Sequence, residues 1–488
     1  MKTIQINTNK FFTVLILFLT VVFTSCDLEE LPENVDINDP KSLQEIEQLL
    51  NNAYNNLGWP LGGNAQLYAD INGDNIDGTS GINTDETEIY NRSTSFFNNT
   101  IRDNMYRGFY RIVLDANVVL NFLDPAYLES INVDASNPRI QEMKGEALFL
   151  RAYMHFEVSR FMSHSPGYTA DNSHLGIPYR KDYSNAIGET RGTVAENYAD
   201  MISDLKEAEN LLGNTNSKNT NYANKIAVQA VLAKVFFQAG FGPELETGVS
   251  NYKNAYDYAN LALINTSAMF DTNLYQGTDT YRFAGNLNTT DNSTNTEDPN
   301  VETIFGIISE STANSKGGTF QRYRSDQTIS NTTIRLMQDF YNSVPSTDKR
   351  KNLLEEKDGE YFLKKFNRSI FHVPLLHFTE ILLIRAEAAA ETNNTAQAET
   401  DLNRILTRAG LSTVSGMSKE QLIDLARIQR RIELVGEGNR VNDLKRIGVN
   451  ETSLTIRNAP WNCNGIIFQF PATEVFNGFT QNPTGGCN

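Results

Sequence analysis

Residues 374–410, PLLHFTEILLIRAEAAAETNNTAQAETDLNRILTRAG, constrain the fold of this chain more than any other stretch. Leu375, Phe378, Leu382, Ala386 and Ala389 recur at three- and four-residue steps, which predicts a helix beginning just after Pro374 with one buried stripe. The polar pair Asn393-Asn394 interrupts the pattern, and Thr395 can cap a second helix. Leu402, Ile405, Leu406 and Ala409 carry the apolar face of that helix until Gly410 stops it. The expected product is an antiparallel helical hairpin. Small residues at Ala386, Ala388, Ala389, Ala390, Ala396 and Ala398 let the two backbones approach closely. A single pair cannot cover its own apolar face, so the hairpin requires neighbours of the same kind.

Other segments supply them. Residues 42–57 place Leu43, Ile46, Leu49, Leu50 and Ala53 on one side of a helix. Helical periodicity returns at 101–123 and at 140–161, where Ala147, Leu150, Met154 and Phe161 face a core. The capping box Thr193-Val194-Ala195-Glu196 opens a helix running to 212, and 226–239 and 252–264 follow at similar spacing. Residues 421–435 form a last long helix, beside a dense mixed-charge cluster that includes Arg430, Arg431, Glu433, Glu437, Arg440 and Asp443 and reads as a structural ion network. The fold class is therefore mainly α: about four irregular, tetratricopeptide-like helix pairs with long loops and a few short strands. Residues 58–99 read as a loop insertion rich in Gly, Asn, Asp and Thr. The helical signal weakens again between 265 and 372, where 301–308 is the best strand candidate.

The amino terminus addresses the chain outward. Lys2 and Lys10 precede an apolar run, 11–23, shorter than the roughly 20 residues of a spanning helix, so it reads as a signal-peptide core. Phe23-Thr24-Ser25-Cys26 follows at once and resembles a bacterial lipobox. Cleavage before Cys26 would free its thiol and amino group for several acyl chains, enough for a stable anchor. The division expected is a signal peptide at 1–25, an acidic tether at 26–40 and a body at 41–488. The body comprises a helical part (41–265), an irregular part (266–373) and a helical part with tail (374–488). Once Cys26 is lipidated, Cys463 and Cys487 remain of the three cysteines. Both lie in the tail, outside the cytoplasm, where a disulfide closing the tail is expected.

Composition excludes some functions. With 42 Lys plus Arg against 59 Asp plus Glu the net charge is −17, which argues against nucleic acid or an anionic lipid surface bound by broad charge attraction. No Walker loop, HExxH, GxSxG or dinucleotide fingerprint is present, so neither an enzyme nor a cofactor is expected. The five histidines lack metal-ligand spacing, and His155 reads as a packed helix residue. Asp70-Ile71-Asn72-Gly73-Asp74 resembles the start of a calcium loop, but Asn75 stands where glycine is needed and Gly81 where the closing glutamate is needed, so no metal is expected.

Aromatic residues in polar loops are the more telling feature. A sugar ring offers a face of C–H groups that lies flat on Trp or Tyr, while neighbouring Asn, Asp and Arg bond its hydroxyls. Trp59, Tyr68, Tyr90, Tyr281 and Tyr323 are candidates for such a platform, with Asp70, Asp74 and Asn75 as polar partners.

SLQEIEQLLNNAYNNL, the GDN at 73–75, EMKGEALFLRAYMHFEVSRF, VETIFGI, Asp348-Lys349-Arg350, TEILLIRAEAA, LNRILTRAGL and RRIELVGEGNRVNDLKRIG occur in this order. Together with the lipobox cysteine they resemble the SusD/RagB family of outer-membrane nutrient-binding lipoproteins across essentially the whole mature chain. His377-Phe378 stands where the family commonly has Arg-Tyr, and Val435-Gly436 where an aromatic pair is common. The resemblance implies a lipid-anchored surface protein that sits as a lid over a TonB-dependent transporter, captures oligosaccharides or in some members peptides, and breaks no bond. A surface glycoside hydrolase and a pure helical scaffold are the competing readings. The anchor is directly checkable: labelled palmitate is expected in the wild-type protein and absent from Cys26→Ala, and incorporation into both would overturn the lipobox reading.

Overall fold

In a computed structural model, the structure describes residues 39–183, 190–219, 221–275, 282, 283, 285, 286, 298–309, 316–326, 328–368, 370–475 and 479–487. The signal peptide, Cys26, all but the last two residues of the tether, and Tyr281 lie outside these. Ten long helices carry the fold: α1 (Leu43–Asn56), α2 (Arg107–Phe122), α3 (Pro138–Met162), α4 (Val194–Leu211), α5 (Lys225–Ala239), α6 (Asn251–Asn265), α7 (Phe378–Glu391), α8 (Thr395–Arg408), α9 (Lys419–Glu433) and α10 (Arg440–Asn450). Each packs on the next from α1 through to α9, and α9 also returns to α7. Most of the starts are chemically marked. Ser42 caps α1, and the Thr193–Glu196 and Ser418–Gln421 capping boxes open α4 and α9, satisfying amide groups that a helix start would otherwise leave bare.

The hairpin α7–α8 turns on Asn393, whose φ of 64° suits asparagine, and Asn394 caps α8 in place of the expected Thr395. Its alanines do what their size allows: Ala386, Ala389, Ala390 and Ala398 pack with Leu402, Leu422 and Ala426 in a small core of their own. Helix α7 differs from the one-stripe expectation, because Phe378 through Ala390 are all buried. It lies wedged among α5, α6, α8 and α9, and a helix enclosed on every side is apolar or paired all round.

Three sequence expectations are corrected. Helix α7 begins at Phe378 rather than just after Pro374. Residues Val373–His377 form a strand, fully buried and paired antiparallel with Thr303–Ile307, and a short buried apolar run carries no period that separates strand from helix. Residues 58–99 are not a loop insertion. They hold the helices Gly58–Leu61, Asn64–Asn72 and Thr84–Tyr90, and Ala65 and every residue from Leu67 to Asn72 are buried. The charged run after α9 contains a further helix, α10, which the mixed-charge pattern concealed. All sheets among the described residues are two-stranded. Cys463 and Cys487 are joined by a disulfide, their Cα atoms 5.1 Å apart.

The mixed-charge residues form a buried ion network. Glu433, at the end of α9, receives Arg408 at 3.1 Å, Arg282 at 3.2 Å, Arg350 at 3.2 Å and the Tyr275 hydroxyl at 2.8 Å. Arg282 also bridges Glu302 and Glu437, and Glu437 takes Lys365 and His377 Nε2. Burial alone would raise the Glu433 carboxyl, but Arg408, Arg350 and Arg282 outweigh it and hold it well below the carboxylate range. Glu302 is likewise lowered to about 2 by Arg282 and Arg408 against its burial. Removing the shared charge unbalances three buried guanidiniums at once, which keep only Glu302, Glu437 and Asp348 among them. Glu433→Gln is therefore expected to lower unfolding free energy by about 3–5 kcal/mol in denaturant titration, and a loss under about 1 kcal/mol would show that the network is not what holds these elements.

Candidate functional site

One face of α2 forms the wall of an open cleft of about 580 Å³, within the size range of small-ligand sites. The helix is entered through a π-helical turn, Arg102–Tyr106, a distortion that occurs often at functional sites. From its last residue onward, Tyr106, Tyr110, Val113 and Asn117 line the cleft at i, i+4, i+7 and i+11, and Arg107, Arg111 and Leu114 line it one position further round. Trp59, 41 % exposed on the short helix Gly58–Leu61, stands at the edge. The opposite wall is Arg180 and Asp182 with Thr473 and Glu474.

Interior bonds hold these walls in place. Tyr106 and Tyr110 pack 4.7 Å apart between ring centres, and the Tyr110 hydroxyl donates to the Pro178 carbonyl at 2.8 Å. The Arg180 guanidinium lies 4.3 Å over the Tyr110 ring and reaches Glu474 at 2.9 Å. Asn117 donates to the carbonyls of Arg180 and Asp182 and accepts from Arg151, itself in a bidentate pair with Asp204 of α4. His155 on α3 supports the same segment. Its Nε2 accepts the Arg180 backbone N–H at 3.0 Å while Nδ1 donates to the Arg151 carbonyl at 2.8 Å, and its ring stacks on Tyr179 at 3.9 Å. Burial pushes the imidazole down to about 3, which keeps it neutral and able to accept. The packed-residue reading of His155 agrees with this geometry.

Of the sequence candidates among the described residues, only Trp59 lines the cleft. Tyr68 is buried, its hydroxyl accepting from Asn104 at 3.0 Å. Asp70 and Tyr323 are buried against each other, the phenol donating at 2.9 Å. Asp74 pairs with Arg440 at 2.7 Å, and Asn75 accepts from Arg431 at 2.8 Å. Tyr90 is half-buried under the Arg457 guanidinium, 3.9 Å from its ring. These residues do not join Trp59 in a platform: Asp70, Asp74, Asn75 and Tyr90 fasten 58–99 to Tyr323, Arg440, Arg431 and Arg457, and Tyr68 is held by Asn104. The residues that do line the cleft carried a sequence signal of their own. It was the aromatic, arginine and asparagine stripe on the helical period of residues 102–117, which reads equally well as a core face.

Comparison with known proteins follows from this architecture. A family described as "Starch-binding associating with outer membrane" is matched over residues 28–237, and the SusD family over residues 182–484. The chain belongs to the SusD family. Solved structures share the fold at low identity. One is a candidate sugar-binding protein of Bacteroides vulgatus, at 22 % identity, covering 90 % of this chain and 98 % of its own, with a TM-score of 0.72. A SusD superfamily protein of Bacteroides thetaiotaomicron is 20 % identical, covering 91 % and 100 %, with a TM-score of 0.70. A SusD-like carbohydrate-binding protein of Bacteroides vulgatus is 21 % identical, covering 83 % of each chain, with a TM-score of 0.64. No curated protein matches the chain. Among the described residues, no helix is long and apolar enough to cross a membrane, and no group of three His, Cys, Asp or Glu side chains could hold a metal ion.

The Asp70–Tyr323 pair, which ties this SusD-family protein's N-terminal helices to its irregular middle, titrates. Burial raises the Asp70 carboxyl to about 7, and the Tyr323 hydrogen bond only partly offsets it. A carboxyl raised above its unfolded value of 3.8 binds its proton more tightly in the folded state. Its ionisation therefore costs stability progressively as pH rises from about 4 to about 7. Wild type should gain stability relative to Asp70→Asn as pH falls through that window, by at most about 4 kcal/mol. Parallel denaturation curves for the two proteins across it would show Asp70 ionised throughout.

Proposed function

We propose that this protein captures an oligosaccharide in the α2 cleft at the outer surface of a bacterial cell and hands it, uncleaved, to a TonB-dependent outer-membrane transporter. The observation that carries the reading is the composition of the cleft. An exposed indole, Trp59, stands beside Tyr106 and Tyr110, with charged and amide side chains of Arg180, Glu474 and Asn117 around them. The exposed indole face of Trp59 takes the C–H face of a pyranose, Tyr106 and Tyr110 form the buried floor beside it, and the charged groups orient its hydroxyls. The family's match to a starch-binding, outer-membrane description supports the ligand class and the address. The lipobox ending at Cys26 supports the anchor, and the stacked helix pairs offer an extended surface for a transporter.

The role of Glu474 favours holding over hydrolysis. Glycosidases place a free acid and a second carboxyl across the scissile bond, whereas Glu474 is clamped by Arg180 at 2.9 Å. Calorimetric titration of the mature protein against a panel of neutral and acidic oligosaccharides should reveal a binder. Trp59→Ala should weaken it by about tenfold or more, the loss of one stacked aromatic, with circular dichroism unchanged. Unaltered affinity in that variant would remove the cleft from the reading, and release of shorter sugars from the bound ligand would replace capture with hydrolysis.

A further inference from the structure

The chain carries a net charge of −17, yet the cleft lining holds four guanidiniums, those of Arg102, Arg107, Arg111 and Arg180, against two carboxylates, Asp182 and Glu474. The side chains facing the cleft are thus richer in cations than the chain as a whole, and Asp103 and Asp115 behind them pair with Arg102, Arg107 and Arg111. Two of these arginines are exposed. Asp103 gives both oxygens to Arg102, at 2.9 and 2.7 Å, and Arg107 reaches the same carboxylate with one nitrogen at 3.2 Å. Arg111 meets Asp115 through Nε at 3.0 Å, and Asp115 also accepts from Asn52 and Asn56. Arg107 thus spends Nη1 on Asp103, and Arg111 spends Nε on Asp115. Their side chains are 65 % and 44 % exposed.

A guanidinium only donates, and its forked geometry matches a carboxylate better than a hydroxyl. Arg107 and Arg111 sit one helical turn apart on the cleft side of α2, about 6 Å along its axis. The lining from Arg102 to Asn117 extends about 22 Å at the helical rise, long for one sugar ring and suited to a chain of them. We infer that the ligand of this cleft is an extended acidic oligosaccharide, with a ring face on Trp59 and its uronate carboxylates on Arg107 and Arg111. This rests on the oligosaccharide reading above and adds the charge class of the ligand. Exposed guanidinium donors facing a concave site favour a ligand that brings its own carboxylates.

The test pairs each acidic probe with its own neutral counterpart. Oligogalacturonate, oligomannuronate and an unsulfated glucuronate-containing oligosaccharide are titrated into the mature protein beside the same oligomers with their carboxyls reduced to alcohols. At least one acidic member should bind about tenfold or more tighter than its reduced partner. The preference should shrink as ionic strength rises from about 0.01 M to about 1 M, where the screening length falls from about 30 to about 3 Å. The double variant Arg107→Gln/Arg111→Gln should abolish the preference, while a neutral glycan that binds through Trp59 is retained. Equal binding of acid and alcohol, or a preference surviving in the double variant, overturns the inference. So does a polyglutamate peptide binding where none of the acidic sugars does. If neutral glycans bind through Trp59 and no acidic one is favoured, only the charge class falls. If no glycan of either kind binds, the oligosaccharide reading falls with it.

Discussion

The carboxylate of Glu433, buried where α9 ends, is the point on which the described fold converges. Its three guanidinium partners come from separate places: Arg408 from the end of α8, Arg282 from the irregular middle, and Arg350 from the 3-10 turn Lys349–Leu353. Charges withdrawn from water are tolerated only when paired and hydrogen-bonded, so each element has one position that keeps the set satisfied. That requirement fixes register in a region where the strands are only two to five residues long and could not fix it by pairing. The short sequence motifs that resemble the SusD family are largely the members of such networks. Glu302 lies in VETIFGI, Arg350 in the Asp348-Lys349-Arg350 turn, and Arg408 in LNRILTRAGL. Arg446, near the end of RRIELVGEGNRVNDLKRIG, pairs with Glu387 of TEILLIRAEAA at 2.8 Å. In this chain these motifs meet in buried ion pairs rather than at the α2 cleft.

The cleft depends on this frame without sharing its residues. Its inner wall is α2, held between α1 and α3. Its outer wall is a segment without regular structure, kept in place by Asn117, His155 and the Tyr110 hydroxyl. Those supports sit on helices whose other faces are core, so the segment at 178–182 inherits the rigidity of α2 and α3. Loop-borne contacts positioned by a rigid scaffold are the common arrangement for ligand capture. Here the arginine–aromatic contact between Arg180 and Tyr110 belongs to both the support and the cleft lining.

How much of this was legible in the primary structure varied with the length of the interaction involved. Helices with a strong period and a chemical cap were readable almost to the residue: α1 with Ser42, α4 with Thr193 and Glu196, and the α7–α8 turn at Asn393. The segment 58–99 was not. Its Gly, Asn, Asp and Thr content reads as loop, but Asn83 and Asn98 cap helices, and Tyr68, Asp70 and Asn75 face the interior because partners such as Tyr323 and Arg431 arrive from more than 250 residues away. Tyr106, Tyr110, Val113 and Asn117 failed in the opposite direction. A helical stripe of this kind says that a face is covered or concave, and the period alone does not distinguish a neighbouring helix from a cleft.

What the chain determined by itself is therefore local and periodic: a mainly helical body of stacked pairs, helix ends set by side-chain caps, and the ordered motifs that mark the family. Only the tertiary structure decided which aromatics reach solvent, which charges disappear into the ion network, and which helix face stays open. The reason is physical. Capping and amphipathic burial act over a few residues and leave their trace in spacing, whereas exposure is the absence of a packing partner. For Trp59 and the arginines of α2 that absence depends on where Arg180 and Glu474 are brought by the rest of the fold.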